Sequence, residues 1–259
     1  MYELVISIRN YNSNNYIDII DNIKKVGFKK IFIEWYNNDL KLQQDILNYV
    51  KVNNLKVAFA HLGYQNLNVL WEEGIDGDLE VERYINDIVI CKNNGIDLVI
   101  LHPTFGYDAP PFSELGLKRI YKIVSFANSI GVRVAFENVE LDGYLKYITD
   151  NIKLNNVGIC FDVGHFHLFF DDKFDINHFK NKLFAIHLHD NDKKSDQHNL
   201  PFDGTVDWQD AIKKIKDMNY KGDVIIESGY NSNYSNISLT EYYEKAYEVG
   251  KKLIQMIEE

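Results

Sequence analysis

The chain has 259 residues, of which 46% are hydrophobic and 25% are charged. This composition supports a large buried core and excludes a disordered or fibrous protein. The 38 acidic and 28 basic residues give a formal net charge of −10. A protein that coats nucleic acid or binds anionic membranes through a general positive charge is therefore disfavoured.

The cysteine content and the N-terminal segment indicate the compartment. The two cysteines, Cys91 and Cys160, are far apart in the sequence, and Met1 leads directly into a strand-like run. No apolar run is long enough for a membrane span. We therefore expect a reduced, cytoplasmic protein without a membrane partner, and a homo-oligomer remains an open alternative.

Eight short apolar runs recur along the chain, rich in β-branched residues and nearly continuous in hydrophobicity. They cover residues 4–8, 31–33, 57–60, 98–101, 132–136, 157–161, 183–186 and 224–226. Runs of this length and character are typical of parallel strands that are buried on both faces. We therefore predict eight parallel strands.

Longer segments with helical periodicity separate the runs, including residues 16–26, 40–54, 78–94, 113–130 and a closing helix over 239–259. Gly27, Gly95, Gly131 and Gly222 follow predicted helices, where a left-handed cap favours glycine. Ser113 and Asp207 are predicted to be the N-cap residues of the helices that follow them.

This alternation predicts an α/β protein that forms a single (β/α)8 TIM barrel over residues 1–259. An open doubly wound sheet is the alternative, but no Gly-x-Gly-x-x-Gly motif follows the first predicted strand.

The residues that end the predicted strands suggest where the chemistry lies, because active sites in this fold lie at the carboxyl ends of the strands. Seven consecutive strands end in a possible metal ligand or acid/base group: Glu34, His61, His102, Glu137, Asp162, His187 and Glu227. Carboxylates that converge on one mouth repel each other unless a cation neutralises them. Imidazoles among carboxylates favour a divalent metal over salt bridges.

Taken singly, each of these residues also has a structural interpretation; Asp162, for example, can cap the turn that follows it. His165 lies three residues after Asp162, which can place both side chains on one face of a turn. The long polar loop over residues 190–200 can bring Asp196 and His198 to the mouth. The remaining histidines, His167, His178 and His189, are interpreted as structural, with His189 expected to point away from the lumen.

The motifs that carry these residues resemble the xylose-isomerase-like TIM-barrel superfamily of sugar-phosphate isomerases and epimerases and endonuclease-IV-type apurinic endonucleases. The resemblance covers the whole barrel and is strongest from Val134 onward. It rests on Phe136-Glu137-Asn138, Phe161-Asp162-Val163-Gly164-His165, His187-Leu188-His189-Asp190, Asp196-Gln197-His198, Asp203-Gly204-Thr205-Val206-Asp207-Trp208 and Ile226-Glu227.

The resemblance implies a metal site that sugar isomerases and epimerases share, formed here by Glu137, Asp162, His187 and Glu227. The apurinic endonucleases hold three zinc ions with a larger set. Its counterparts here are His61, His102, Glu137, Asp162, His165, His187, Asp196, His198 and Glu227. One ion is expected and up to three are possible, as Mn²⁺, Mg²⁺, Co²⁺ or Zn²⁺.

Several departures from the related sequences favour sugar chemistry over DNA cleavage. The first strand reads Ser7-Ile8-Arg9 where the endonucleases carry Gly-x-His, and the chain has only four arginines. A protein that tracks phosphates is expected to carry several cationic contacts. Gly143 and Lys193 replace a carboxylate and an arginine of the ketose 3-epimerases. Aromatic residues are predicted at the mouth instead: Trp35, Tyr36, Tyr64, Phe105, Tyr107 and Trp208.

We therefore predict an isomerase or epimerase of a sugar, sugar phosphate or related polyol, acting by proton transfer through a metal-stabilised enediolate. Glu137 and Glu227 are the predicted acid/base pair. His165 and Lys193 are predicted to bind substrate hydroxyls, and Trp35, Tyr64 and Phe105 to line the pocket. The alternatives are a zinc phosphodiesterase acting on abasic DNA, and a catalytically inactive barrel that only binds a ligand.

Overall fold

The computed structural model describes residues 2–9, 15–35, 39–170 and 174–259. Within them, eight strands alternate with eight α-helices. The strands are β1 (Leu4–Ser7), β2 (Lys30–Glu34), β3 (Lys56–His61), β4 (Leu98–Leu101), β5 (Arg133–Glu137), β6 (Val157–Asp162), β7 (Leu183–His187) and β8 (Val224–Ile226). The helices are α1 (Tyr16–Val26), α2 (Leu40–Val52), α3 (Ile75–Asn93), α4 (Glu114–Ser129), α5 (Asp142–Asn151), α6 (Val163–Phe169), α7 (Trp208–Asp217) and α8 (Leu239–Glu258). All eight predicted strands are confirmed.

The strands form one parallel sheet that nearly closes on itself. Neighbours follow chain order from β7 back to β1, and β1 also pairs with β8. Just beyond β7, the Leu188 N–H donates to Ile225 O (2.9 Å) and Leu188 O accepts from the Glu227 N–H (3.1 Å). Eight parallel strands with helices between them, joined across this last gap, form the predicted TIM barrel.

Alternation along each strand separates the barrel interior from the outer helix-packed layer. The interior cluster takes at least one side chain from every strand: Val5, Phe32, Phe59, Leu98, Ile100, Ala135, Cys160, Ala185 and Ile225. Because strand side chains repeat with a period of two, the residue two positions further on faces the same lumen at its carboxyl mouth. Those residues are Ser7, Glu34, His61, His102, Glu137, Asp162, His187 and Glu227.

The helix ends follow the predicted capping, with one exception. Ser113 and Asp207 accept hydrogen bonds from the backbone N–H groups of α4 and α7 as N-caps. Gly27 has a φ of 115° and caps α1. The expectation for Gly222 is wrong: Asn219, with a φ of 56°, is the left-handed residue after α7. Asparagine tolerates this conformation because its short polar side chain bonds locally.

No helix in the described part of the chain is both long enough and apolar enough to cross a bilayer.

Candidate metal centre

Three carboxylates, at or just beyond the ends of β5, β6 and β8, approach the imidazole of His187 at the barrel mouth. The Nδ1 atom of His187 lies 3.0 Å from Glu137 Oε1, 3.0 Å from Glu227 Oε2 and 3.8 Å from Asp162 Oδ2. All four side chains are almost completely buried. We call Glu137, Asp162, His187 and Glu227 the inner cluster.

Glu137 is shared with two further histidines. Its second oxygen, Oε2, lies 3.0 Å from His61 Nε2 and 3.4 Å from His102 Nε2. The ligand atoms of His61, Glu137, His187 and Glu227 all lie within 4.8 Å of one another. The structure therefore brings His61 and His102, predicted from the ends of β3 and β4, to the inner cluster.

A second group, the outer cluster of His165, Asp196 and His198, lies beside the first. Asp196 Oδ2 is 2.9 Å from His198 Nε2 and 3.4 Å from His165 Nε2. The opposite ring nitrogens donate to backbone oxygens: His165 Nδ1 to Asn138 O (3.1 Å) and His198 Nδ1 to Glu227 O (2.9 Å). Histidines that bind metals usually have this arrangement, because the backbone contact fixes the ring and frees the other nitrogen.

The capping interpretation of Asp162 is also correct. Its Oδ1 atom accepts a hydrogen bond from the His165 N–H at 2.6 Å and so caps α6. The predicted three-residue spacing thus places His165 on the first turn of a helix that Asp162 begins. Capping occupies Oδ1, whereas Oδ2 is buried and has no hydrogen-bond partner among the described residues.

His189 requires a correction. It was expected to point away from the lumen, but it is fully buried within the site, with Nε2 3.0 Å from Asp162 Oδ1. Its ring stacks on His198 with centroids 4.1 Å apart. The physical reason is the period of two, since residues i and i+2 share one face of a strand. Leu188, between the two histidines, faces the outer layer.

Carboxylates and histidines in these clusters control each other's protonation. Burial by itself raises the pKa of Glu137, but the charge of His187 and the hydrogen bond from His102 outweigh it and hold this pKa well below its usual value. Burial lowers the pKa of His198, but the charge of Asp196 and its hydrogen bond raise it to about 9. Interactions within the clusters therefore favour the charged forms of Glu137 and His198.

The donor set fits a divalent cation. The inner cluster offers three carboxylates and one imidazole, a mixture of oxygen and nitrogen ligands that suits Mn²⁺, Co²⁺ or Zn²⁺. Its buried Asp162 Oδ2 atom has no hydrogen-bond partner in the described parts of the chain, as a free ligand atom would. A bound cation would replace the histidine protons as the source of positive charge.

A cavity of about 120 Å³ opens onto both clusters. Tyr64 and Phe105 line it as predicted, and the Tyr64 ring stacks on His102 with centroids 4.2 Å apart. Four further lining residues, Arg9, Val139, Glu140 and Phe169, were not among those predicted for the pocket. The position of Glu140, three residues after Glu137 at the end of β5, was the available sequence signal.

The other predicted pocket residues lie elsewhere. Trp35 directly follows Glu34, so alternation turns it away from the lumen into the outer core, where it is 6% exposed. Lys193 is exposed on the β7–α7 loop and does not line the cavity. Tyr107 is 68% exposed and contacts Phe169 at the rim. Tyr36 falls outside the described residues.

Trp208 instead contributes to a network centred on Asp190, which sequence reasoning did not identify. Asp190 is fully buried, and its carboxylate accepts four hydrogen bonds. The donors are the backbone N–H groups of Asn191, Phe202 and Val206 and the Trp208 Nε1–H, at 2.9–3.0 Å. These bonds hold the β7–α7 loop, residues 188–207, which carries Asp196 and His198.

The same loop contains backbone conformations that L-residues rarely adopt. Lys193, His198 and Phe202 have φ values of 62°, 47° and 74°. Strained conformations persist where the surrounding contacts leave no alternative, and they are concentrated at functional sites. The His198 side chain is therefore held in the outer cluster by the loop as well as by its own hydrogen bonds.

The chain is similar in sequence to a known family and to curated proteins. The family model described as "Xylose isomerase-like TIM barrel" matches residues 20–253. Uncharacterized protein y4fM of Sinorhizobium fredii is 33% identical over 133 residues, which cover 49% of this chain and 42% of that protein. The mannonate dehydratase of Oceanobacillus iheyensis is 28% identical over 158 residues, 58% of this chain and 38% of that protein. The matches span half or less of the length of these curated relatives.

Solved structures resemble this chain over nearly its full length. A D-tagatose 3-epimerase-like protein is 18% identical with a TM-score of 0.78, covering 99% of this chain and 98% of that chain. D-Psicose 3-epimerase from Clostridium cellulolyticum H10, solved with D-tagatose, is 13% identical with a TM-score of 0.77, covering 97% and 99%. An IOLI protein with a zinc atom is 17% identical with a TM-score of 0.75, covering 98% of each chain. At these identities the similarity shows a common fold.

Proposed function

Because the chain belongs to the xylose isomerase-like TIM-barrel family, we propose that it is a divalent-metal-dependent isomerase or epimerase of a small, uncharged sugar or polyol derivative. One observation carries the proposal. Glu137, Asp162, His187 and Glu227, from four consecutive strands, converge within contact distance at the mouth of the barrel. We assign these residues as the ligands of the ion.

The proposed reaction needs a polarised carbonyl and a base. A divalent cation held by the inner cluster would act as a Lewis acid on a substrate carbonyl and acidify the neighbouring C–H bond. Glu137 and Glu227 each approach His187 Nδ1 to 3.0 Å. We assign one of them to remove the proton and the other to return it.

The ionised state of the Glu137 carboxylate supports its role as a base. The charge and hydrogen bonds of the neighbouring histidines, which overcome the effect of burial on its pKa, keep its carboxylate ionised at neutral pH. Return of the proton to the same carbon from the opposite face gives an epimer, and return to the adjacent carbon gives an isomer. His165, whose Nε2 faces Asp196 at the cavity wall, is assigned to hydrogen-bond a substrate hydroxyl.

The charge of the cavity favours a neutral substrate over a sugar phosphate. Its walls include the carboxylates Glu137, Glu140, Asp196 and Glu227. Among the described lining residues, Arg9 alone carries a permanent positive charge, and its guanidinium lies 2.6 Å from Glu34 Oε1. A phosphate group carries about two negative charges at neutral pH, and beyond Arg9 the described lining offers no Arg or Lys side chain to bind it.

The size and aromatic walls of the cavity also support a small, uncharged sugar as the substrate. Its volume of about 120 Å³ is well below the roughly 300–1,000 Å³ of pockets that bind drug-sized ligands. The exposed face of Phe105 and the ring of Tyr64 provide flat apolar surfaces against which a sugar ring can pack.

A second candidate function is a phosphodiesterase of the apurinic-endonuclease kind. It is favoured by the outer cluster, because His165, Asp196 and His198 supply ligands for a further ion beside the inner cluster. Clustered metals generate hydroxide and stabilise the leaving oxygen of a phosphodiester. The scarcity of cations around the cavity argues against a DNA substrate.

One set of assays separates the two functions. Protein loaded in turn with Mn²⁺, Mg²⁺, Co²⁺ and Zn²⁺ is incubated in D₂O with ketoses, aldoses, their phosphates and sugar acids, and product deuterium is measured. The proposal expects deuterium in an unphosphorylated sugar, and loss of that signal in Glu227→Gln.

A parallel incubation with abasic duplex DNA tests the alternative. Cleavage of this DNA, with about three zinc ions per chain by elemental analysis, would refute the isomerase assignment. If Glu137→Gln leaves cation affinity unchanged and the loaded protein exchanges no sugar proton, the barrel has only a binding role.

A further inference from the structure

The environment of His189 is built around an imidazole ring. The residue is fully buried, and Gly164 in the first turn of α6 lies directly against it. A Cβ atom at position 164 would come within 2.0 Å of His189 Cε1 and 2.4 Å of His189 Nε2. Any side chain at position 164 would therefore displace the ring. Glycine at this position leaves the space that the His189 ring occupies.

The ring is placed between the carboxylates of the two clusters. Its Nε2 atom lies 3.0 Å from Asp162 Oδ1 and 3.8 Å from Asp196 Oδ1. The ring stacks on His198 at an interplanar angle of 17° and meets His165 edge to face. These contacts restrict the ring from both sides and direct its Nε2 edge at Asp162.

The contact with Asp162 has a consequence for the inner cluster. Asp162 Oδ1 already accepts the His165 N–H at 2.6 Å, and His189 Nε2 approaches this same oxygen. The other oxygen, Oδ2, faces His187 Nδ1 at 3.8 Å. Because Oδ1 accepts one hydrogen bond and contacts His189, the carboxylate presents its other oxygen to the inner cluster.

We propose that His189 is a positioning residue, which orients Asp162 so that its Oδ2 atom binds the cation as a single-oxygen ligand. His189 Nε2 lies at hydrogen-bond distance from Oδ1 but outside hydrogen-bond angles. A small rotation of the Asp162 carboxylate would align the two groups as a charge-assisted hydrogen bond from Nε2–H to Oδ1. Hydrogen bonds that orient a metal ligand typically change metal affinity by about 10–100-fold. The inference rests on the proposed cation site, and it adds a residue that acts on that site through Asp162.

The test compares two substitutions that differ in the donor. His189→Leu keeps a similar volume and removes the N–H, whereas His189→Gln retains an amide N–H donor at about the position of Nε2. Dissociation constants for Mn²⁺ are measured by competition with a fluorescent chelator, and the visible absorption of the Co²⁺-loaded protein reports ligand geometry. His178→Gln is the matched control, because His178 contacts Asp150 far from the site.

We expect His189→Leu to weaken Mn²⁺ binding by about 10–100-fold and to change the Co²⁺ spectrum, and His189→Gln to remain within about threefold of the wild type. Gly164→Ala, which moves the ring without removing a ligand, should weaken binding in the same direction. Gly143→Ala is its control, because a Cβ at position 143 meets only Phe112 at an ordinary 3.6 Å.

Two results would overturn the inference: wild-type affinity in His189→Leu, or equal losses in His189→Leu and His189→Gln, which would indicate a packing role alone. If His189→Leu does not fold by circular dichroism, Gly164→Ala decides, and wild-type affinity in that variant rejects the role. Wild-type protein that takes up no divalent cation would instead refute the proposed function, and the role of His189 with it.

Discussion

Replacing Asp190 by asparagine tests whether its buried carboxylate holds the β7–α7 loop in place. Oδ1 accepts hydrogen bonds from the Asn191 and Val206 N–H groups, and Oδ2 accepts from the Phe202 N–H and the Trp208 Nε1–H. Asparagine keeps the shape but exchanges one oxygen for an NH₂ group. Each oxygen accepts two hydrogen bonds. Whichever oxygen becomes the NH₂ group, its two former N–H donors then face another donor, and two hydrogen bonds are lost.

The expected loss of stability follows from that count. A hydrogen bond to a charged acceptor contributes about 1.5–3 kcal/mol, so two of them contribute about 3–6 kcal/mol. The four donors are uncharged, so the negative charge of Asp190 is buried at a cost in free energy. Asparagine removes that charge, which offsets part of the loss. We expect Asp190→Asn to lower the free energy of unfolding by about 3 kcal/mol and Tm by about 6–12 °C.

Urea and thermal unfolding followed by circular dichroism measure the effect. Asp192→Asn is the matched control in the same loop, because the Asp192 carboxylate is partly exposed, accepts a hydrogen bond from the Lys194 N–H and otherwise only lies 3.9 Å from Lys194 Nζ within the described residues. That control should change stability by less than about 0.5 kcal/mol. If Asp190→Asn lies within about 1 kcal/mol of the wild type, the four hydrogen bonds do not hold the loop, and the reasoning is refuted.

Further outcomes are expected at the site and its supports. Glu227→Gln should weaken Mn²⁺ binding by at least about tenfold in titration calorimetry while the circular dichroism spectrum stays unchanged, because the barrel core is separate from the ligands. Adding Mn²⁺ at about 100 times its Kd to chelator-treated protein should raise the free energy of unfolding by about 2.7 kcal/mol, and no change would argue against a native cation site. Asp196 raises the pKa of His198 to about 9 in the folded protein. A group whose pKa is higher in the folded than in the unfolded state stabilises the protein at low pH, and this stabilisation is lost as the pH rises through the folded-state pKa. In urea unfolding of cation-free protein, the loss of stability between about pH 6 and pH 10 should therefore be smaller by about 3 kcal/mol in His198→Gln than in the wild type. The remaining pH dependence comes from His61, His165 and His187, whose pKa values are raised as well. Arg119 donates hydrogen bonds to the carbonyl oxygens of Glu72 and Gly74. Arg119→Lys should lower the free energy of unfolding in urea by about 2 kcal/mol, because one ammonium group cannot reach both oxygens.

The barrel could be predicted because its signals are local. A buried parallel strand needs a short, nearly continuous apolar run, and a helix packed on it needs apolar residues three and four apart. Both patterns are visible without knowledge of any contact. The loop after α7 shows where such reasoning ends: a left-handed cap can be filled by glycine or asparagine, and only the backbone path shows that Asn219 fills it.

Much of the candidate site was also present in the sequence, for a geometric reason. In a closed parallel barrel, the strand residue that follows the last buried layer must point into the mouth, so chain order alone brings Glu137, Asp162, His187 and Glu227 together. The same rule places His189 on the lumen side and turns Trp35 outward, as the structure has them.

Only the tertiary structure decided what the loops do. Lys193 and His198 lie in one polar loop with similar surroundings in the sequence, yet one is exposed and the other is buried against Asp196. The difference between them depends on hydrogen bonds that the Asp190 carboxylate accepts from residues up to 18 positions away. Strand side chains follow a fixed alternation, whereas loop side chains take positions set by contacts between distant segments, which no local pattern encodes.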